Sequence, residues 1–507
     1  MPTNRKIPAT IVTQHPDHAS TPYWHYRPFI STYDEPEELF LSFSEMDADE
    51  YKWDWEGKLV DEAVLERLFS KYYKFFSKHQ IGKDKFLTFR LPNPKVETEF
   101  RLGRAFMAIL AASGLANQLR LHNKPLFEVI LPMTETADEM IAVQEAFREI
   151  ASMKHPLLKL DTEDIEHVEM IPLFEDIETI SYSDEIITEY VSKHMDLFGF
   201  KPAYIRPYMA RSDPALNAGI VATVLAIKIA LSRYKQYEQI SGIDMYPMIG
   251  AASLPFRGGI NPRTVDQFIN EYAGICTTTL QSGFRYDYPK NEVFEAVQQI
   301  KNTIGKLKTR IISPAKEKKL RKIMKHFRTY YQMTIKDIAP IVNKVASMLP
   351  VRRERVQHVG LFGYSRGVGE VKLPRAIGFT ASLYSLGAPP ELIGTGRGLA
   401  WAKKHNMLDL LENTYINLCS DLLHAVSYTN EKLLKTLAKT NNGFSMIWED
   451  YKEVVKYLQS KGVDISNTTQ DMKEHQILSD IIYSRILADK NATKYIEKAA
   501  RLRRSMG

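Results

Sequence analysis

Four arginines of this 507-residue chain follow a predicted strand or stand in a glycine-rich turn: Arg90, Arg257, Arg366 and Arg375. A guanidinium is a planar fork that matches a carboxylate or a phosphate, so a convergent set of four points to an anionic substrate. Arg366 lies in the stretch Gly363-Tyr364-Ser365-Arg366-Gly367-Val368-Gly369, whose glycines let backbone approach a ligand without side-chain bulk. Arg257 opens an Arg-Gly-Gly turn. Two carboxylates, Glu175 and Asp213, follow neighbouring strand candidates. A hard cation such as Mg²⁺ takes one or two carboxylates and completes its shell with water and substrate oxygens, and these two acids could supply that arrangement. Both could also be helix N-caps, Asp213 above all because Pro214 follows it. In Thr13-Gln14-His15-Pro16-Asp17 the proline restrains the backbone beside His15, which suits a positioned general acid or base.

Residues so far apart in sequence need a scaffold that gathers them. Short strands are predicted at Phe86–Phe89, Leu126–Leu131, Val168–Phe174, Ala203–Met209 and Met245–Leu254. They alternate with helices over about 96–117, 134–152, 175–194 and 214–234. Such alternation argues for a parallel sheet with helical crossovers. Charged residues recur at the C-terminal ends of these strands, which is the active face of a (β/α)8 barrel and of a doubly wound sheet alike. The first sixty residues read as irregular, and a helix begins at Val60. Beyond about residue 290 the pattern is helical, at 290–305, 315–347, 376–386, 406–440, 448–460, 468–488 and 490–505. No Gly/Ser-rich linker interrupts the chain. The expectation is one barrel-based domain over 1–507, with strands mainly within 80–400 and a helical elaboration over about 400–507.

Composition excludes several classes. The chain is 44% apolar and 25% charged, with a net charge of +6 that is small for its length. The basic segments Lys306–Arg328 and Lys494–Arg504 mix charge with apolar residues at helical spacing, so they read as solvated helix faces and no nucleic-acid partner is expected. Two widely separated cysteines, Cys276 and Cys419, make neither a disulfide framework nor a zinc site and fit a reducing cytoplasm. The N-terminal residues lack the apolar run of a signal peptide, and the apolar stretch from Gly219 to Leu231 is broken by Lys228, so no membrane span is expected. Neither a Rossmann fingerprint nor a Walker A motif is present.

Taken together, the motifs resemble those of phosphoenolpyruvate carboxylase in its short, archaeal-type form. They are TQHPD at 13–17, WDWEGK at 53–58, PLFE at 172–175, RSDPALNAG at 211–219, LPFRGG at 254–259 and QSGFRYDYP at 281–289, then GLFGYSRGVG, LPRAIGF and PPELIG between 360 and 394. The resemblance runs nearly end to end. It implies a (β/α)8 barrel with many additional helices, and the joining of phosphoenolpyruvate and bicarbonate into oxaloacetate and phosphate through carboxyphosphate and a metal-stabilised enolate. It implies Mg²⁺ or Mn²⁺ as cofactor, a homotetramer, and a cytoplasmic enzyme of anaplerotic carbon fixation. By motif, His15 matches the catalytic histidine, Glu175 and Asp213 the metal ligands, and Arg257 and Arg366 catalytic, substrate-binding arginines. Arg375 matches a further substrate-binding arginine, and Arg90 corresponds to another on the phosphate. The glycine loop at 363–369 is the candidate for a closing lid. This chain departs from the long form at Pro255, where that form has a histidine, and at Leu216, where it has a lysine. It also reads Ile260-Asn261-Pro262-Arg263 where the long form continues with glycines and a second arginine, which leaves open whether Arg263 takes that role. The last residues, Arg504-Ser505-Met506-Gly507, lack the asparagine that helps hold inhibitory aspartate in the long form, which leaves open whether aspartate inhibits this chain.

Overall fold

The computed structural model describes residues 5–97, 100–121, 123–153, 167–354, 367–368, 371–466 and 468–507. Eight strands close into an all-parallel barrel: β1 (Thr10–Val12), β2 (Glu50–Asp54), β3 (Phe86–Arg90), β4 (Glu128–Leu131), β5 (Glu169–Phe174), β6 (Tyr208–Ala210), β7 (Met248–Gly250) and β8 (Thr277–Leu280). Each strand pairs with its neighbours in sequence, and β8 returns to β1 with Thr10 opposite Thr278. The fold is therefore a (β/α)8 barrel with many added helices, as the resemblance implied. It settles the choice between barrel and open sheet that strand alternation left open.

Three strands escaped the sequence pattern. β1 and β2 lie in the first sixty residues, expected to be irregular and to precede the barrel strands, and β8 is a run of three threonines and a leucine. The physical reason is the barrel's closed interior. Side chains alternate along a strand, and β2 points Tyr51 and Trp53 outward into the packing with helices while Glu50 faces a buried arginine inside. Its charged half is thus buried, which inverts the usual reading of polar residues as solvent-facing. Two strand expectations also shorten. Pro207 cannot donate to a ladder, so Tyr204–Ile205 leaves the barrel to pair with Asp244–Met245 in a separate two-stranded sheet.

Inside the barrel the side chains form layers. Nearest the N-terminal ends of the strands, Arg206 donates to Glu50 (2.6 Å) and Glu128 (2.7 Å), all three almost wholly buried. Above lies an apolar layer of Ile11, Ile130, Ile171, Leu173, Tyr208 and Met248. The C-terminal strand ends rise over this floor. Among the helices, α1 (Ser212–Ala218) leaves β6 and is followed by α2 (Ile220–Ser241), which is apolar nearly all round and buried along most of its length. The 33-residue α3 (Pro314–Ala346) packs across both. The helix expected over 406–440 is three helices, Leu408–Thr414, Leu418–Tyr428 and Glu431–Thr440. Extended backbone at Tyr415 and Thr429 interrupts it, and Asn430 caps the last piece by accepting from Leu433 N–H (2.9 Å).

Candidate active site

A cavity of about 410 Å³ opens at the C-terminal ends of the strands. His15, Arg90, Asp213, Arg257 and Arg375 all line it, although they span 360 positions of sequence. Glu56, Arg352 and Arg353 line it as well. Glu175 follows β5 directly, is buried, and acts on Arg90 and Lys52 through its charge, but it is not part of the cavity wall. Arg366 and most of the 363–369 loop lie outside the described residues; Gly367–Val368 pairs antiparallel with Val371–Lys372.

Strand ends deliver His15, Arg90 and Asp213 to this wall. His15 stands three positions past β1, with Thr13 Oγ1 2.8 Å from its Nδ1. Burial first, and then the positive charges of Lys52, Arg257 and Arg90, hold its imidazole well below its ordinary pKa. The ring is neutral at pH 7. Arg90 ends β3 and donates from Nε and Nη2 to the two oxygens of Asp54 (2.7 Å each), while Nη1 faces Glu56. This bidentate pairing fixes the plane of the guanidinium. Lys52, also on β2, is 1% exposed; burial and Arg90 lower its ammonium to about 8.

Neither acid caps a helix. Asp176 takes the cap after β5 and accepts from Glu178 N–H (2.8 Å), and the N-cap position of α1 belongs to Arg211. Asp213 instead lies in the first turn of α1 and faces the cavity. The register pairs Phe174 with Met209, so Glu175 and Asp213 rise from the same rim of adjacent strands. Two hard oxygen donors on one rim match a Mg²⁺-type ion, which shares its shell with water and substrate; no group of three or more metal-ligating side chains occurs among the described residues.

Arg257 ends the short 3₁₀ turn Pro255–Arg257 and is 1% exposed. It donates to Gln281 Oε1 (2.6 Å), Ser212 Oγ (3.1 Å), Asp17 Oδ2 (3.4 Å) and the Gly507 carbonyl. Asp17 also accepts from Gly283 N–H (2.9 Å), which ties the segment after His15 to the short helix Ser282–Tyr286 after β8. Arg375 stands at the N-cap position of α4 (Ala376–Ser385). Arg263 is elsewhere: it is half exposed, pairs with Glu292 at 2.9 Å, and is not part of the wall.

Sequence reasoning missed Lys52, Asp54, Glu56, Asp17 and Gln281 as parts of this site. All but Lys52 lie within the motifs TQHPD, WDWEGK and QSGFRYDYP, so the signal was present without a role attached.

The chain matches the family model for phosphoenolpyruvate carboxylase over residues 7–507. It is 38% identical over 511 residues to a phosphoenolpyruvate carboxylase of Leuconostoc mesenteroides, covering all of both chains. It is 36% identical over 509 residues to one of Oenococcus oeni, covering 99% of each. Against the enzyme of Caldivirga maquilingensis it is 36% identical over 527 residues, covering 99% of this chain and all of that one.

Proposed function

This chain belongs to the phosphoenolpyruvate carboxylase family, in its archaeal-type form, and from that premise we propose how its residues divide the reaction. The enzyme is a carboxy-lyase that forms oxaloacetate and phosphate from phosphoenolpyruvate and bicarbonate. The observation that carries the assignment is the gathering of His15, Arg90, Asp213, Arg257 and Arg375 around one cavity at the active face of a barrel.

Phosphoenolpyruvate carries a phosphate and a carboxylate, and Arg90, Arg257, Arg366 and Arg375 bind them. Arg257, already anchored by Gln281 and Ser212, offers a preset direction at little entropic cost. A bicarbonate oxygen attacks phosphorus and the bond from phosphorus to the enol oxygen breaks, leaving carboxyphosphate and the pyruvate enolate. His15 takes the proton of carboxyphosphate, which then separates into CO₂ and phosphate. A neutral imidazole is the form that can accept that proton, which fits its lowered pKa. The tautomer that donates Nδ1–H to Thr13 Oγ1 keeps its lone pair on Nε2, free for that proton. The methylene carbon of the enolate attacks CO₂ and forms the new carbon–carbon bond; exclusion of water protects the enolate from protonation to pyruvate.

The family implies a divalent cation. Glu175 and Asp213 would hold it as Mg²⁺ or Mn²⁺, and when bound it supplies Lewis-acid compensation for the negative charge that develops on the enol oxygen. The protein acts as one barrel-based domain, as a homotetramer and in the cytoplasm. Its two cysteines are free, which supports a reducing compartment, and no described helix is long and apolar enough to cross a membrane.

The test is a coupled oxaloacetate assay with and without bicarbonate, and with and without Mg²⁺ or Mn²⁺. Oxaloacetate formation that requires bicarbonate and metal is expected. Turnover of phosphoenolpyruvate that ignores bicarbonate would instead identify a lyase or phosphotransferase acting on the same substrate.

A further inference from the structure

The turn that carries Arg257 is gripped from behind by two buried polar side chains, neither of which lines the cavity. Arg211 is 1% exposed. It donates from Nη1 to the Phe256 carbonyl (3.1 Å), from Nη2 to the Pro255 carbonyl (3.3 Å) and from Nε to Tyr272 Oη (3.0 Å). On the other side Glu391 is fully buried, and its Oε1 accepts from the Phe256 N–H (2.9 Å) and from Tyr384 Oη (2.8 Å). A three-residue 3₁₀ turn has few hydrogen bonds of its own, so outside partners set its orientation. Here two successive carbonyls and the amide between them are held by side chains. Gly258, at φ +120°, lets the turn lie flat: a Cβ there would stand 2.5 Å from Ala251 Cβ and 3.1 Å from Arg211 Cγ.

Glu391 makes a second connection. Tyr384, which it binds, is on α4, and the N-cap of α4 is Arg375. One carboxyl group therefore links the turn of Arg257 to the helix of Arg375. A buried guanidinium whose hydrogen-bond partners are three neutral oxygens is a costly way to stabilise a fold, since apolar packing serves as well or better. What the planar fork supplies, and an apolar side chain cannot, is a fixed direction for two carbonyls at once.

We propose that Arg211 and Glu391 are positioning residues: they fix the Pro255–Arg257 turn, and with it the spacing of Arg257 and Arg375, at the geometry that reads one anionic substrate. This rests on the reading of both arginines as ligands of phosphoenolpyruvate.

Arg211→Met, Arg211→Lys and Glu391→Gln in the full chain test it by three measurements: steady-state kinetics in each substrate, thermal unfolding, and amide hydrogen exchange of the 254–259 segment. Arg211→Met is expected to lower kcat/KM for phosphoenolpyruvate by about 10²-fold, the cost of a small misplacement of a binding group. Its KM for bicarbonate should stay within about twofold. Exchange in 254–259 should accelerate, and Arg211→Lys, which keeps the charge without the fork, should recover only part of the loss. If Arg211→Met does not fold, Glu391→Gln carries the test with the same pattern at about tenfold, because one neutral acceptor remains. Accelerated exchange with unchanged phosphoenolpyruvate kinetics would overturn the proposal, as would losses that merely follow the folded fraction. Unchanged exchange would show that the turn is not held by these residues. Should the wild-type enzyme form no oxaloacetate, the functional reading fails, yet the exchange measurement still reports on the grip itself.

Discussion

The two ends of this barrel use the same residue types for opposite purposes. At the N-terminal end Arg206, Glu50, Glu128 and Arg5 face one another, with Thr88 and Tyr204 completing the set. Burial alone would raise Glu128, but Arg206 and Arg5 pull its carboxyl down to about 2. Opposite charges there meet without intervening space. At the C-terminal end Arg90, Arg257 and Arg375 stand around a cavity of about 410 Å³ with His15 and Asp213. The difference teaches that charge in a core is not itself a sign of function. Charge arranged around an opening is, because the opening leaves room for a partner that the chain does not supply.

The largest contrast should come from His15→Asn. Loss of the general base should lower kcat by about 10²- to 10⁴-fold, while the unfolding free energy changes by less than about 1 kcal/mol. Steady-state rates and urea unfolding of the same variant check both halves. At the other end the outcome should reverse. Arg206→Met leaves Glu50 and Glu128 buried without their shared cation and should cost about 3–5 kcal/mol of stability. The folded molecules that remain should keep the wild-type KM for phosphoenolpyruvate. A large shift in that KM would mean that the lower charge layer also shapes the cavity.

A smaller effect separates the ends by pH. Glu128 has a depressed pKa, so its stabilisation is present above its ordinary value near 4.5 and is lost as pH falls through about 2. Glu391, behind the Arg257 turn, is pushed by burial up to about 7. Its contribution is present below about 4.5 and is lost as pH rises through about 7. Melting temperatures between pH 3 and pH 8 should show Glu128→Gln flattening the acid limb and Glu391→Gln the neutral limb, each on the order of 1–3 kcal/mol. Equal effects of both variants on one limb would contradict the assignment. The smallest effect belongs to Arg263→Ala. Its pair with Glu292 is exposed, so stability should move by less than about 0.5 kcal/mol and kcat/KM for phosphoenolpyruvate should not change. A loss of activity would give Arg263 a role that its place outside the cavity wall denies it.

What was legible in the sequence followed from how each element is surrounded. β3, β4 and β5 combine apolar and β-branched residues with turn residues beyond, and they were found close to their observed ends. β2 was missed because Glu50 and its charged companions face a sealed interior, and β8 because threonine alone is a weak signal. Glu175 and Asp213 were legible as acids after strands, but their alternative reading as caps was answered only by Asp176 and Arg211 occupying those positions. Lys52 had no motif to mark it, and Asp17 and Gln281 lay in motifs without a role attached, since their importance comes from what stands opposite in space.

The sequence by itself pointed to an anionic partner and to the C-terminal strand ends as the face expected to meet it. Arginines, two acids and a histidine placed just past strands carry that information locally, because residue type sets which charges can be met and strand direction sets which rim they reach. Only the tertiary structure decided which of these residues share a cavity. Closing the barrel brings β1 beside β8, so His15 comes to the cavity that Arg257 and Arg375 line, and it sends Arg263 to the surface. Distances between strands depend on closure, and closure depends on packing around the whole ring, which no local stretch of sequence contains.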